Sequence, residues 1–403
     1  MFLWGASTAA YQVEGGNTNA DVWALEHLAR TAYREPSGDA CDFHTRFAAD
    51  LALLAALGLN AFRFSVEWSR VEPAPGEYSA AALAHYSRIV DTCLGLGLTP
   101  VVTLHHTTTP QWLVRAGGWR SASTPAVFSG YAQRIAAALG DRIGYLCTIN
   151  EANTPAQVAY DGPDPRWEPM LADARAYFGV DPAAGVGTFV AAGDETTIAT
   201  VAEAHRRAVA AVHETRPGLP VGVTLAIPAV SAVDGGEEAA ERYVEQVLHR
   251  PLREMGTVGD FVGVQNYTGL VFGPDGVRPG GDDLTDIGMA LVPGSLADAC
   301  RRAYAVTGKP LLVTEHGADL DDSQDHRRAA FIPAALAELG QAIADGVDVR
   351  GYLHWSLLDN YEWMLGYTAF FGLVGVDRRT LRRRVRPSAL VLGGLARRGL
   401  PGA

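Results

Sequence analysis

Short runs of apolar, often β-branched residues alternate along the chain with longer stretches whose apolar positions recur every three or four residues. A period near two belongs to strands and one near 3.6 to helices, so the alternation predicts a repeating strand–helix unit. The strand-like runs are FLWGAST at the start, NAFRFSV (60–66), TPVVTLH (99–105) and GYLCTIN (144–150). They continue with PVGVTLA (220–226), DFVGVQN (260–266), PLLVTE (310–315) and GYLHWS (351–356). Amphipathic helical stretches separate them at 48–58, 81–97, 124–140, 196–218, 295–308, 321–346 and 387–399, most closed by a glycine suited to a helix C-terminus. Eight strands alternating with helices, without a break in composition, predict the α/β class. The expected form is a single (β/α)8 TIM barrel domain over 1–403, with long loops at the C-terminal face of its strands. An open doubly wound sheet would want a glycine-rich phosphate turn after the first strand, and GASTAAYQVEGG lacks that spacing. Stretches at 35–40, 161–195 and 272–283 read as irregular loops after strand ends, where barrel enzymes build their sites.

Composition narrows the class. With 48% hydrophobic and 19% charged residues the chain has ample material for a large core. A net charge of −12 disfavours nucleic acid as a partner. The basic cluster DRRTLRRRVRP (377–387) reads as a solvated loop entering the last helix, with a basic docking patch as the alternative. Cys41, Cys93, Cys147 and Cys300 are scattered, which fits buried free thiols in a reducing compartment better than a disulfide framework or a zinc site. The N-terminal stretch lacks a basic segment and reaches Gln12 and Glu14 early, so no signal peptide is predicted. Nor is any apolar run long enough to predict a membrane span. The expectation is a soluble cytoplasmic protein.

In a parallel barrel all the C-terminal strand ends face one rim. Those positions hold Gln12 and Glu14 after the first run, Arg63 in the second, and His105 and His106 after the third. Asn150 and Glu151 follow the fourth, Asn266 and Tyr267 the sixth, and Glu315 and His316 the seventh. Trp355 ends the eighth, and Asp359, Asn360, Glu362 and Trp363 lie in the loop beyond. Each alone has a packing explanation, but polar groups spread around one mouth suggest a ligand rich in hydroxyls. Aromatic faces stack on sugar C–H groups while amides, imidazoles and carboxylates bond the hydroxyls. A lone carboxylate ending a buried strand is costly, and two of them suit glycosidic-bond chemistry. Metal catalysis is the rival use of His and Glu. Adjacent His105 and His106 point to opposite faces of a strand and no HExxH spacing occurs, so neither metal nor cofactor is expected.

Several of these stretches resemble glycoside hydrolase family 1, the β-glucosidase family. FLWGASTAAYQVEGG is similar to its N-terminal signature, TINEANTP to its TxNEP motif and VTEHGADL to its TENG motif. GYLHWSLLDNYEWMLGYTAFFGLVGVD is similar to its W-S-x-x-D-N-x-E-W loop, and NAFRFSVEWSRVEPAPGEY and TLHHTTTPQWL to two further blocks. The resemblance implies a retaining β-glycosidase that removes a terminal non-reducing β-D-glycosyl residue from a small-molecule or oligosaccharide β-glycoside. Glu151, in the place of the NEP glutamate, would be the acid/base, and Glu315, in that of the TENG glutamate, the nucleophile. Arg63 and Tyr267 would orient and ionise Glu315; Gln12, His106, Asn150, Glu362 and Trp363 would bind the sugar hydroxyls, over Trp355 as stacking floor. Arg63 should then favour ionised Glu315, whose charge should raise the pKa of Glu151.

The chain departs from the family pattern at Thr107 (usually Trp or Phe), Ala152 (Pro), Gln265 (Asn), His316 (Asn) and Phe370 (Arg). These changes leave glucose, galactose, fucose or a deoxysugar open as the glycone, with His316 expected to bear on the choice. The carboxylate of Glu362 argues against a 6-phosphorylated sugar. Trp167 and Tyr177, in 161–195, are the expected aglycone cover. A catalytically silent sugar-binding barrel and a transglycosylase are the alternative functions.

Overall fold

The computed structural model describes residues 1–162, 164–181 and 184–400. Eight parallel strands close a barrel: β1 Leu3–Ser7, β2 Ala61–Ser65, β3 Thr99–His105, β4 Tyr145–Ile149, β5 Val221–Ala226, β6 Phe261–Asn266, β7 Leu311–His316 and β8 Val349–Trp355. Each pairs with its chain neighbour, and β8 returns to β1 with Trp355 beside Ser7. The expected strands are all present, within two residues at each end. They are legible because strands buried on both faces read as continuous apolar runs. Inward-facing Leu3, Ala61, Val101, Cys147, Phe261, Leu312 and Leu353 form an apolar plug across the interior. Outward-facing neighbours such as Phe62, Phe64, Val102, Leu146 and Val313 join the larger core beneath the helices. Arg63, two residues beyond Ala61, therefore enters the barrel interior above the plug.

The seven expected helices form at Phe43–Ala56, Ala80–Gly95, Thr124–Leu139, Glu195–Thr215, Ser295–Thr307, Asp325–Ala344 and Pro387–Arg398. Local caps set several starts: the Asp194 carboxylate accepts from Thr197 N at 2.8 Å and Ser79 Oγ from Ala82 N at 3.2 Å. The helix between β5 and β6 went unread. It begins at Glu237–Tyr243 and runs on through π-helical segments Val244–His249 and Leu252–Gly256, whose wider turns break the 3.6-residue pattern.

Two loop expectations change. The stretch 161–195 is not simply irregular: it holds helix Glu168–Phe178, closed by left-handed Gly179, with Met170, Ala174 and Phe178 packed against Leu25 and Val114. The loop at 272–283 contributes strand Gly276–Pro279 to a small sheet with Gly269–Gly273 and Ala229–Ala232.

The arginine cluster is a solvated loop only in part: Arg378, Arg379, Arg382 and Arg384 are exposed, while Arg383 and Arg386 are drawn into the fold. Strand Arg383–Val385 pairs with Val374–Val376, and Arg383 grips Asp50 with two bonds of 2.8 and 2.7 Å. Arg386 binds both oxygens of Asp359 at 2.7 Å and Asp322 at 2.8 Å. The Asp50 and Arg383 side chains are 3% and 10% exposed, so Arg383→Ala leaves a buried carboxylate uncompensated. Chemical denaturation is expected to show a loss of about 3 kcal/mol for Arg383→Ala and little change for Arg382→Ala. All four cysteines are buried and free. Among the described residues no helix is long and apolar enough to cross a membrane.

Candidate active site

At the C-terminal rim of the barrel lies a cavity of about 220 Å³. Gln12, His106, Asn150, Glu151, Tyr267, Glu315, Trp355, Glu362 and Trp363 all line it, with Thr107, Ile287, Met289 and Phe371. Arg63 lies fully buried beneath. The structure thus brings together the ten residues to which the sequence assigns a catalytic or sugar-binding role. Thr107, Glu151 and Trp363 each adopt left-handed backbone, with φ of 72°, 46° and 49°, where non-glycine residues are uncommon and functional sites concentrate.

Glu315 reaches the cavity through a bulge. Leu312 faces the interior and Val313 the helices, so strict alternation would turn Glu315 outward and His316 inward. The register of β7 against β6 shifts between Val313 and Glu315, which sets Glu315 beside Gln265 and His316 beside Asn266. Glu315 Oε1 then accepts from Arg63 Nη1 at 2.6 Å and Oε2 from the Tyr267 hydroxyl at 2.6 Å. His316 instead turns away from the cavity, bonds the Tyr352 hydroxyl at 2.8 Å and stacks on Phe331 with ring centroids 5.1 Å apart. It packs the helix layer and touches no part of the sugar pocket, contrary to the expectation that it influences sugar choice. Gly317, next in the chain, leaves no room for a Cβ against the Trp355 carbonyl.

Asn150 is oriented by three donors. Its Oδ1 accepts from Arg63 Nη2, from Thr224 Oγ1 at 3.1 Å and from Gln265 Nε2 at 2.7 Å. That leaves Nδ2 to donate to His106 Nε2 at 3.1 Å, which makes His106 Nδ1 the protonated nitrogen. His106 Nδ1 and Gln12 Oε1 are both buried without a protein partner, one a donor and one an acceptor. Buried polar groups require partners, and hydroxyls of a bound sugar supply both kinds. Gln12 is itself fixed by Nε2 bonds to Asn360 Oδ1 (3.0 Å), the Tyr361 carbonyl (2.9 Å) and Glu362 Oε2 (3.2 Å). His106 stacks on Trp355 with centroids 5.6 Å apart.

Three carboxyls share this space and differ in their surroundings. Burial pushes the Glu315 carboxyl above its ordinary range, opposed by Arg63 and by hydrogen bonds from Tyr267 and Gln265. Glu151 is pushed up to about 8 by burial and then by the charge of Glu315, with Arg63 opposing. Glu362 is pushed up to about 8 by burial, then Glu315, Glu151 and Asp319, with Gln12 opposing. Only Glu315 holds a cation and two neutral donors, so Glu315 is the group that ionises first. Burial, followed by Arg63, pushes the His106 pKa well down, which keeps its ring neutral.

Other rim residues serve the scaffold. Glu14 pairs with Arg70 at 3.0 Å, and His105 packs among Trp119, Phe128 and Phe189. Asn266 accepts from Ser295 at 2.7 Å, and Asp359 pairs with Arg386. Tyr177 lies away from the cavity, bonded to Gln111 at 3.0 Å. Gln265 stands out in the sequence only as a departure, yet from its place on β6 it donates to Asn150 at 2.7 Å and helps hold the Glu315 pKa down. Ile287, Met289 and Phe371 carried no chemical signal that a sequence could show.

The family model described as Glycosyl hydrolase family 1 matches residues 1–264 and 283–398. The chain belongs to this family. Among curated members, the thermostable β-glucosidase B of Thermobispora bispora is 32% identical over 437 residues, covering 98% of this chain and 90% of the relative. The bifunctional β-D-glucosidase/β-D-fucosidase of Bifidobacterium breve is 30% identical, covering 95% and 94%. Among solved family structures, β-glycosidase BGL167 superposes with a TM-score of 0.94 at 44% identity, covering 100% of this chain and 97% of that one. A β-glucosidase from Thermotoga maritima in complex with deoxynojirimycin gives 0.86 at 26% identity, covering 100% and 98%.

Proposed function

We propose that the chain is a retaining β-glycosidase of β-glucosidase type, with Glu315 as nucleophile and Glu151 as acid/base. The observation that carries this reading is the pair of glutamates in one cavity with opposed surroundings: one gripped by Arg63 and Tyr267, the other pushed up to about 8. Ionised Glu315 attacks the anomeric carbon while protonated Glu151 gives its proton to the departing oxygen. The glycosyl ester that forms has lost the Glu315 charge, so Glu151 becomes more acidic and takes a proton from the incoming water. Arg63 and Tyr267 orient the nucleophile; Gln12, His106, Asn150, Glu362 and Trp363 take the glycone hydroxyls above Trp355. Residues 1–403 act as one catalytic domain in this reading. Four buried, unpaired cysteines support a cytoplasmic setting.

The departures from the family pattern do not favour a silent barrel. Ala152 is buried with its N–H on the Thr224 carbonyl at 3.0 Å, and His316 faces away. The case against a 6-phosphorylated glycone also shifts its footing. Burial and the neighbouring carboxyls push Glu362 up to about 8, which weakens the charge it would set against a 6-phosphate.

Proton NMR during hydrolysis of nitrophenyl β-glycosides tests the reading. The first hemiacetal released is expected to be β; an α-configured first product would overturn it. A panel of gluco, galacto and fuco substrates identifies the glycone. Gln265→Leu removes a donor that lowers the Glu315 pKa. The acidic limb of kcat/KM is therefore expected to move to higher pH, with kcat down about tenfold. A pH profile with an unmoved acidic limb would separate Gln265 from Glu315.

A further inference from the structure

We propose that the enzyme prefers β-glycosides of bulky apolar ring alcohols or phenols, of two fused rings and larger, over glycosides of a second sugar. This rests on the glycosidase reading above and concerns the leaving group alone. A second chamber of about 320 Å³ adjoins the glycone cavity, and Thr107, Glu151, Glu362 and Trp363 line both. Glu151 protonates the departing oxygen, so that oxygen sits at the boundary and the leaving group extends into the second chamber. Beyond Glu151 its walls are Val158, Trp167, Val190, Met364 and Leu365.

Those walls suit an apolar ring system and not a sugar. A second pyranose brings several hydroxyls, each needing a partner once taken from water. Apart from the two carboxyls, the chamber offers the hydroxyls of Tyr33, Thr107 and Thr154 and the indole N–H groups of Trp167 and Trp363; no amide or cationic side chain lines it among the described residues. Thr107 keeps the boundary open, since an aromatic side chain at that position would project into the shared space. Leu365 is 39% exposed at this chamber, an apolar side chain that the fold itself leaves uncovered. Val158 and Trp167 also line a further groove of about 550 Å³ with Pro165, Leu171 and Ala191, where the charged side chains of Asp161, Asp164 and Arg166 mark the outer limit of the apolar walls. Of the two residues expected to cover the aglycone, Trp167 lines this chamber and Tyr177 does not.

The test compares 2-naphthyl and phenyl β-glycosides, whose phenols are of similar acidity, with the matching β-linked disaccharide and the β-glycosyl fluoride. The glycone is the one selected by the nitrophenyl panel. The naphthyl glycoside is expected to exceed the phenyl glycoside about tenfold in kcat/KM, with the disaccharide below both. Val158→Gln and Leu365→Gln are each expected to lower the naphthyl-to-fluoride ratio about fivefold, and exposed Leu365 provides a variant that does not burden folding. A disaccharide matching or exceeding the naphthyl glycoside, or a ratio unmoved in both variants, overturns the proposal. Fluoride needs no aglycone chamber, so failure to hydrolyse the fluoride would instead overturn the glycosidase reading.

Discussion

Glu315→Ala is expected to lower kcat on nitrophenyl β-glycosides by roughly 10⁴–10⁶-fold, the largest effect of any single substitution in the chain. The substitution removes the proposed attacking oxygen and also the acceptor of Arg63 Nη1 and the Tyr267 hydroxyl. It leaves a cavity of carboxylate size beside a buried guanidinium, which is a place for a small anion. Azide is therefore expected to restore turnover of a dinitrophenyl glycoside. Attack from the side vacated by Glu315 gives the α-glycosyl azide, with a single inversion. Arg63 without its counter-ion is a buried unpaired charge, so the variant is also expected to lose about 3 kcal/mol of stability without azide. Comparing Tm with and without azide separates that loss from the catalytic one. Residual activity above about one per cent that azide does not change, or a β-glycosyl azide product, would remove Glu315 from the nucleophile's role.

How much of this was legible in the sequence depended on how regular each element is. The barrel strands were plain because burial on both faces makes each a compact apolar run, and the seven regular helices kept their 3.6-residue period. The helix after β5 was missed because its π-helical turns and Pro251 break that period. Placing candidate residues at strand ends brought both glutamates, the arginine and the tyrosine to one rim, because a parallel barrel admits a single such rim. Finer placement failed where the backbone is irregular. The bulge in β7 exchanges the facing of Glu315 and His316, and nothing in the letters LLVTEH announces a bulge. Long-range partners were invisible for a related reason. Gln265 meets Asn150 only because β6 and β4 share the barrel interior, and Arg383 meets Asp50 across most of the chain.

Glu151→Gln is expected to produce a loss that depends on the leaving group. For phenyl glycosides, whose departing oxygen needs a proton, kcat/KM falls by about 10³–10⁴-fold. For dinitrophenyl glycosides, which leave without help, the first step persists and the second slows for want of a base. The glycosyl-enzyme on Glu315 then accumulates, visible by mass spectrometry, and azide discharges it as the β-glycosyl azide. The pH profile carries the same argument with a definite sign. Glu151 acts as an acid only while protonated, and burial with the Glu315 charge pushes its pKa up to about 8, so wild-type kcat/KM on phenyl glycosides falls as pH rises past that value. With the dinitrophenyl substrate, Glu151→Gln is expected to lack this basic limb. Glu362 is pushed to the same range, and the three carboxyls titrate as a coupled set. A limb that persists in the variant therefore belongs to Glu362 and withdraws the pH argument for Glu151. A variant that hydrolyses phenyl glycosides at the wild-type rate withdraws the role itself, because no other carboxyl in the cavity combines a pKa near 8 with a wall shared by the glycone cavity and the apolar chamber except Glu362. That residue is held by Gln12 on the glycone side, where it meets sugar hydroxyls and not the departing oxygen.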